Sequence, residues 1–116
     1  DTMSLCRSAL SSLRSKGILP KQITVNGAFE IPVTIARNIN KFDGFIAIGI
    51  ILKGETPNFG LISQAITNGI MELSILYKKP IGNAVLTCLN SRQANKRYKK
   101  GKEAADSVLN ILGQKY

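Results

Sequence analysis

The sequence contains no histidine, only two cysteines, and 7 acidic residues against 16 basic ones. Without histidine, the chain lacks the side chain that most often exchanges protons near neutral pH. Cys6 and Cys88 lie in apolar surroundings without a CxxC spacing, which favours buried reduced thiols over a disulfide or a metal pair. We therefore expect a reducing cytoplasm, no metal and no cofactor.

Long apolar runs are also absent. The longest run is Phe45–Leu52, interrupted by Gly49, and a membrane span needs roughly 18 to 20 apolar residues. The start of the chain, DTMSLCRSAL, has no basic stretch followed by an apolar core, so no secretory signal is predicted. A chain of 116 residues with 44% hydrophobic residues predicts a single globular domain, 1–116, without membrane association.

The formal charge of +9 is the compositional feature that points toward a partner. Basic proteins attract nucleic acid, anionic membranes and phosphorylated small molecules. The basic residues concentrate in KRYKKGK, residues 96–102, where a solvated connection between helices and an anion-binding role are equally compatible with the pattern. Tyr98 is the only aromatic residue in this stretch, so no stacking platform is evident and no nucleic-acid partner is expected.

Apolar periodicity predicts an alternation of helices and strands. Helices are predicted at 3–16, 31–39, 58–77, 91–98 and 102–112, and strands at 22–27, 45–52 and 80–87. Gly17 is predicted to end the first helix, and Gly101 to separate the last two. Pro32 is tolerated in the first turn of the second helix. The buried stripe of the third helix is predicted to hold Ile62, Ala65, Ile66, Gly69, Ile70, Leu73 and Leu76.

The strand FIAIGIIL is apolar on both faces, which is typical of the interior of a parallel sheet with helices on either side. The alternation therefore predicts an α/β fold with right-handed crossovers. Parallel sheets bind ligands at the carboxyl ends of their strands, in loops that lead into helices. The loops at 26–30, 53–58 and 87–91 are the candidate binding loops.

The segment GETPNF, residues 54–59, opens the third predicted helix. Free N–H groups and the positive end of a helix dipole favour an anion at such a position. A plain loop in which Thr56 caps the helix is equally compatible with these residues. Glu30 has a similar alternative, because a first-turn carboxylate is also favourable to the helix dipole.

Six ordered blocks resemble the lumazine synthase family: VNGAFEIP, FIAIGIILKGETPNF, ITNGIMEL, AVLT, RQANKR and KGKEAA. The resemblance covers residues 25–112. It implies a three-layer α/β/α sandwich with a parallel flavodoxin-like sheet, whose first strand is missing from this chain. We therefore expect an amino-terminal truncation or a disordered start. It also implies condensation of 5-amino-6-ribitylamino-pyrimidinedione with 3,4-dihydroxy-2-butanone 4-phosphate to 6,7-dimethyl-8-ribityllumazine, in riboflavin biosynthesis.

The resemblance implies a set of site residues. In chain order they are Ala28, Phe29, Glu30, Ile50, Ile51, Leu52, Gly54, Glu55, Thr56, Asn58, Asn83, Arg97 and Lys100. Residues 28–30 would bind the ribityl chain and the pyrimidine, with the Glu30 carboxylate accepting hydrogen bonds from the ribityl hydroxyls. Backbone groups of residues 50–52 would line the pyrimidine site, and residues 54–56 would bind the phosphate.

The resemblance also implies that Arg97 binds phosphate in the site of a neighbouring subunit, through the paired hydrogen bonds that guanidinium offers. Lys100 matches the lysine of the KGKEAA block. Because the segment before it is shorter than usual for the family, Lys99 and Lys102 remain alternatives. Five subunits form a ring in this family, and many members build a shell of such rings. A homopentamer is the expected assembly.

Two positions depart from the family pattern. Asn58 stands where GETxHF has the histidine credited with proton transfer, and a neutral amide is neither acid nor base near neutral pH. This substitution predicts a slow enzyme, with Asn58 and Arg97 at the catalytic positions. Asn83 stands where the family commonly has an aromatic residue, which predicts weaker pyrimidine binding.

Two other functions remain open within this fold. A catalytically impaired paralogue would bind lumazine-like or flavin-like ligands without turnover, in keeping with Asn58 and Asn83. The related archaeal-type riboflavin synthase joins two lumazines. Retention of GAFE, GET and Arg97 together favours a phosphorylated four-carbon substrate over the second alternative.

Overall fold

The computed structural model describes residues 2–53 and 58–114. The helices are α1 (Met3–Ser15), α2 (Ile31–Arg37), α3 (Phe59–Tyr77), α4 (Ser91–Lys96) and α5 (Lys99–Leu112), and a 3-10 turn at Ala28–Glu30 precedes α2. The strands are β1 (Phe45–Leu52) and β2 (Ile81–Cys88). They pair in parallel, with Phe45 opposite Ile81 and Leu52 opposite Cys88.

Both faces of β1 are covered by helices, as its apolar sequence predicts. On one face, Ala47 and Ile51 lie in a core that is completed by isoleucines from α2, α3 and the turn after α2: Ile31, Ile35, Ile39, Ile66 and Ile70. On the other face, Ile46 and Ile48 pack against a cluster from α1 and α5 made of Ala9, Leu13 and Ala105. The expected three-layer α/β/α arrangement is therefore confirmed, with a parallel sheet at its centre.

The end of α1 confirms the predicted role of Gly17. The Ile18 N–H donates to the Leu13 carbonyl at 3.0 Å and the Gly17 N–H donates to the Arg14 carbonyl at 2.9 Å, which is the Schellman pattern of helix termination. Gly17 has a φ of +77°. A residue with a β-carbon rarely adopts this conformation, so glycine is the suitable residue at this turn.

The predicted strand at 22–27 is wrong, because these residues form no strand in the structure. A strand requires a neighbour that takes up its backbone N–H and C=O groups. Within the described part of the chain the sheet consists of β1 and β2, and neither pairs with this segment. Val25 still packs against the core, whereas Ile23 is 47% exposed. The alternation of Ile23 and Val25 in sequence therefore did not indicate a hydrogen-bonded strand, and only Val25 packs against the core.

The break between the last two helices lies at Arg97 and Tyr98, and not near Gly101 as predicted. Gly101 lies in the first turn of α5 and is buried. A β-carbon at this position would overlap the carbonyl oxygen of Leu5 in α1. Gly101 therefore marks the close approach of two helices, a role that local sequence cannot distinguish from helix termination.

The predicted stripe of α3 is only partly buried. Ile66 and Ile70 are buried and Ile62 and Leu73 pack against the same core, in agreement with the prediction. Leu76 is 71% exposed, and Ala65 is exposed as well, so these two assignments are wrong. The residues that follow the 3.6-residue apolar period occupy more of the α3 surface than α2 and β1 bury.

Among the described residues, α3 is the one helix long and apolar enough to cross a membrane by length and composition, with a mean hydropathy of 1.2. One side of α3 packs on the sheet layer through Ile66 and Ile70. Its outer side combines large apolar residues, such as Leu61 at 73% exposure, with the exposed polar residues Gln64 and Asn68. Helix α3 therefore packs on the sheet with one side and leaves apolar residues of its outer side exposed.

Polar contacts complete the packing of α1 against α5. The Ser12 hydroxyl donates to Asp106, whose other carboxylate oxygen accepts from Lys102 Nζ at 2.6 Å. The Lys102 N–H near the start of α5 donates to Ser8 Oγ at 2.9 Å. Hydrogen bonds from Lys102 and then from Ser12 hold the pKa of Asp106 below its ordinary value of 3.8.

We expect Asp106 to make stability depend on acid pH. Because its folded pKa is lowered, the carboxylate adds stability above about pH 3.8, and this contribution is lost as pH falls through the folded value. Asp106→Asn should therefore narrow the difference in free energy of unfolding between pH 7 and pH 3. The side chain is 45% exposed, so the effect should stay below about 1 kcal/mol.

Urea unfolding at both pH values measures this difference. Glu103→Gln is the matched control, because the Glu103 carboxylate pairs with Lys100 at 3.6 Å on the surface and forms no other ion pair among the described residues. An unchanged pH dependence in Asp106→Asn would show that the contact between α1 and α5 does not contribute through its charge.

Candidate functional site

The carboxyl ends of β1 and β2 lie side by side, with Ile51 opposite Thr87 and Leu52 opposite Cys88. The 3-10 turn at Ala28–Glu30 contacts both β1 and α3. Ala28 and Ile31 lie against Gly49 of β1. The structure thus brings the predicted segments 28–30 and 50–52 to one edge of the sheet, together with the start of α3.

The turn at Ala28–Glu30 exposes the side chains that were predicted to bind the ribityl chain. Gly27 is extended, and the Glu30 N–H donates to its carbonyl at 3.1 Å. Phe29 is 60% exposed. The Glu30 carbonyl accepts from the Thr34 hydroxyl at 2.8 Å, and its exposed side chain forms no ion pair with any described residue. An exposed aromatic ring beside a free carboxylate suits a ligand with both apolar and hydroxyl groups.

Asn58 precedes α3 at the N-cap position, with φ −103° and ψ 37°. Its carbonyl accepts from the Ile62 N–H at 2.9 Å, but its side chain makes no capping hydrogen bond. The exposed amide has no side-chain hydrogen bond to any residue that the structure describes, so it is a candidate ligand contact. The predicted phosphate-binding residues Gly54, Glu55 and Thr56 lie outside the described residues, so this role stays a prediction.

Arg97 approaches the strand ends from the opposite face of the sheet. It follows α4, which packs through the buried Ala94 against Leu86 and Cys88. Its Nη1 donates to the Thr87 carbonyl at 3.2 Å and lies 3.9 Å from Cys88 Sγ. A guanidinium carries five N–H donors, so one strand carbonyl leaves most of them available to an anion.

The lysines after Arg97 differ in their contacts. Lys100 lies in the first turn of α5 and pairs with Glu103 at 3.6 Å, whereas Lys102 is held by Asp106. Lys99 is exposed and forms no ion pair within the described part of the chain. These contacts leave Lys99 and Lys100 more available to a ligand than Lys102.

Asn83 does not join the other predicted residues. It lies on β2 opposite Ala47, near the amino end of the strand. Its Oδ1 accepts from the Val85 N–H at 2.9 Å, so the amide satisfies a donor along the outer edge of the sheet. Within one chain this position is remote from the carboxyl ends of the strands, and a role in substrate binding stays a prediction.

Sequence reasoning missed Asn90 and Gln93, which shape the loop after β2. Asn90 Oδ1 accepts from the Gln93 N–H at 2.9 Å, and Gln93 Oε1 accepts from the Leu89 N–H at 2.7 Å. An N-cap residue followed three positions later by glutamine is the spacing of a capping box. The sequence NSRQ carries this signal, which could have identified the two residues.

Comparisons with known proteins match the chain to one family. A family model described as 6,7-dimethyl-8-ribityllumazine synthase matches residues 2–115. A protein of that name from Renibacterium salmoninarum is 40% identical over 87 residues, which cover 74% of this chain and 55% of the relative. One from Cutibacterium acnes is 38% identical over 112 residues, which cover 90% of this chain and 68% of the relative.

A third relative of the same name, from Agrobacterium fabrum, is 34% identical over 120 residues and is covered to 81% of its length. The chain thus spans between about half and four fifths of the relatives it matches. The matched region contains the turn at Ala28–Glu30, the carboxyl end of β1 and Arg97. This chain belongs to the 6,7-dimethyl-8-ribityllumazine synthase family.

Proposed function

We propose that the protein condenses 5-amino-6-ribitylamino-pyrimidinedione with 3,4-dihydroxy-2-butanone 4-phosphate to 6,7-dimethyl-8-ribityllumazine. The observation that carries this proposal is the family match over residues 2–115. The grouping of segments 28–30 and 50–52 with the start of α3 supports it, because these segments offer an aromatic ring, a carboxylate and free backbone groups at one sheet edge.

In this proposal the ribitylaminopyrimidine binds along the end of β1. The Glu30 carboxylate accepts hydrogen bonds from ribityl hydroxyls, and N–H groups at Ala28 and Phe29 assist. Backbone groups of residues 50–52 pair with the polar edge of the pyrimidine. A carboxylate is an acceptor-only group, so it matches the donor hydroxyls of a polyol without competing donors.

The phosphate of the second substrate binds at the start of α3. Residues 54–56 supply backbone N–H groups, and the positive end of the helix dipole favours the dianion. Arg97 supplies a guanidinium that pairs with two phosphate oxygens. Lys100 or Lys99 adds a further positive charge, and both side chains are exposed for that role.

The reaction joins the two substrates with release of two water molecules and inorganic phosphate. The pyrimidine amine attacks the ketone and forms an imine, phosphate is eliminated, and the ribitylamine then closes the ring. Each step moves protons, and Asn58 cannot act as acid or base. Water or the phosphate of the substrate carries the protons, while orientation of two bound substrates supplies roughly 7 to 11 kcal/mol.

We also propose that the chain assembles as a homopentamer in the cytoplasm. The outer side of α3 exposes Leu61, Ile75 and Leu76 at 73%, 68% and 71%, and several large apolar side chains left uncovered on one helix favour contact with another subunit. Arg97 reaches the strand ends from the side opposite Ala28–Glu30, which suits a site completed by a neighbour. The free thiols of Cys6 and Cys88 fit a reducing compartment.

An impaired paralogue that binds lumazine-like or flavin-like ligands is the second candidate. Asn58 favours it, because the amide that precedes α3 is neither acid nor base near neutral pH and the chain has no histidine. This candidate keeps the same binding groups and differs only in the absence of turnover.

Absorbance or fluorescence detection of lumazine, formed by the purified protein from the two substrates, tests the proposal. Turnover that depends on both substrates is the expected result, from particles with a native mass near five times the 12.6 kDa chain. Tight binding of lumazine without turnover would favour the paralogue. Absence of both turnover and binding would contradict both candidates.

A further inference from the structure

The exit of β2 is closed by side chains from α4. Gln93 Oε1 accepts from the Leu89 N–H at 2.7 Å, and Arg97 Nη1 donates to the Thr87 carbonyl at 3.2 Å. Leu89 and Thr87 are two residues apart along the chain, at the point where β2 ends. Two side chains of one short helical segment therefore take up two backbone groups of the same strand end.

Gln93 and Arg97 are placed to act together. They are four residues apart, which puts them on the same side of a helical turn. The Arg97 N–H donates to the Ala94 carbonyl at 3.1 Å, so Arg97 extends the last turn of α4. The Gln93 N–H is itself held by Asn90 Oδ1 at 2.9 Å. Hydrogen bonds thus connect the strand exit, the start of α4 and its end.

This arrangement matters because α4 has only 6 residues. So short a helix is not stable by itself and depends on its contacts. Ala94, which is 2% exposed, anchors one side of it in the core. Gln93 ties the helix to the backbone of the strand exit. Without the Gln93 oxygen, the turn that carries Arg97 loses one of the contacts that hold it at the end of β2.

We propose that Gln93 is a positioning residue for Arg97: its hydrogen bond to the Leu89 N–H holds the guanidinium in the orientation that binds the phosphate group of the four-carbon substrate. The inference rests on the proposed function, in which Arg97 contacts phosphate. It assigns to Gln93 an effect on phosphate affinity and none on the binding of the pyrimidine.

Three variants separate this role from a general effect on the fold. Gln93→Ala removes the acceptor, and Gln93→Glu keeps an oxygen in the same place, near a helix start where a carboxylate is favourable. Asn95→Ala is the matched control, because it deletes an exposed amide from the same helix that has no hydrogen-bond partner among the described residues. Circular dichroism checks that all three variants fold.

Steady-state kinetics with each substrate varied in turn measures the effect. Gln93→Ala should raise KM for the butanone phosphate by roughly three- to tenfold, the range expected for one hydrogen bond, with KM for the pyrimidine unchanged. Asn95→Ala should resemble the parent, and Gln93→Glu, which keeps an acceptor oxygen, should leave KM for the pyrimidine unchanged. Equal increases of both KM values in Gln93→Ala, or the same increase in Asn95→Ala, would overturn the proposal.

A double-mutant cycle with Arg97→Ala tests whether Gln93 acts through Arg97. Arg97→Ala alone should raise KM for the butanone phosphate by roughly 10- to 100-fold, because it removes a charged donor. In that background, Gln93→Ala should add nothing further. Fully additive effects would overturn the positioning role and leave the phosphate role of Arg97 intact.

Calorimetric titration with inorganic phosphate distinguishes failure of this inference from failure of the proposed function. If the parent binds phosphate without forming lumazine, the proposed reaction fails, and weaker phosphate binding by Gln93→Ala than by Asn95→Ala still supports the positioning role. Equal phosphate affinity in these two variants would overturn it. A parent that neither turns over nor binds phosphate would overturn both.

Discussion

Asn58→His is expected to raise the turnover number by about 10²- to 10⁴-fold, the usual contribution of a positioned acid-base group. Asn58 precedes α3 with an exposed side chain that makes no capping hydrogen bond. An imidazole can therefore replace the amide without removing a side-chain hydrogen bond to any described residue. At this position it would precede α3, whose start is proposed to bind the phosphate of the second substrate.

The new histidine should also produce a pH dependence that the parent lacks. A chain without histidine has no imidazole to titrate near pH 6.5. In Asn58→His, a group that accepts a proton works only when it is neutral, so turnover should fall as pH drops below about 6.5. Rates from pH 5 to 8, measured by lumazine fluorescence for parent and variant, provide the comparison.

Asn68→His is the matched control for this experiment. Asn68 is also exposed on α3, but ten residues further along the helix, which is about 15 Å from Asn58. It introduces the same side chain away from the strand ends and should leave turnover unchanged. No gain in Asn58→His would show that the reaction does not depend on a proton carrier at this position. An equal gain in both variants would show that the location of the imidazole is irrelevant.

Gly101→Ala is expected to destabilise the fold by about 1 to 3 kcal/mol or more, the range for overpacking of a core. The added methyl group would overlap the Leu5 carbonyl oxygen. Leu5 is itself fully buried with Leu86 and Cys88, so α1 cannot move away without opening that cluster. Main-chain atoms also adapt less readily than the end of a flexible side chain.

Urea or thermal unfolding measures the loss, and Gly60→Ala provides the control. A β-carbon at Gly60, in the first turn of α3, would meet no described atom within 4 Å apart from its chain neighbours and the backbone of its own helix. Alanine is favoured over glycine in a helix by roughly 0.5 to 1 kcal/mol, so this variant should be at least as stable as the parent. If Gly101→Ala were also stabilising, helix propensity would outweigh the contact between α1 and α5, and the close approach would not limit stability.

Parts of the fold could be predicted from sequence because the signal was local. Gly17 ends α1 in a left-handed turn that glycine favours, and Pro32 is accommodated at the start of α2. The apolar residues on both faces of β1 predicted that helices would cover both faces, and the structure has helices on both. In each of these three cases the residues that determine the structure lie within the same short segment as the sequence pattern.

Other features depended on contacts between distant segments. Gly101 was predicted to separate two helices, but it lies within α5 because Leu5 of α1 approaches there. Leu76 follows the apolar period of α3, yet neither α2 nor β1 reaches it. Residues 22–27 alternate like a strand and remain unpaired in the described structure.

The candidate site shows the same division. The resemblance of short motifs to the family predicted roles for Glu30, Asn58 and Arg97, and these roles stay predictions. Tertiary structure decided that Arg97 approaches the strand ends from the face opposite Ala28–Glu30, and that Gln93 ties α4 to the exit of β2. A hydrogen bond or a close helix contact depends on where the packed layers place atoms that are far apart in sequence, and local periodicity does not encode that placement.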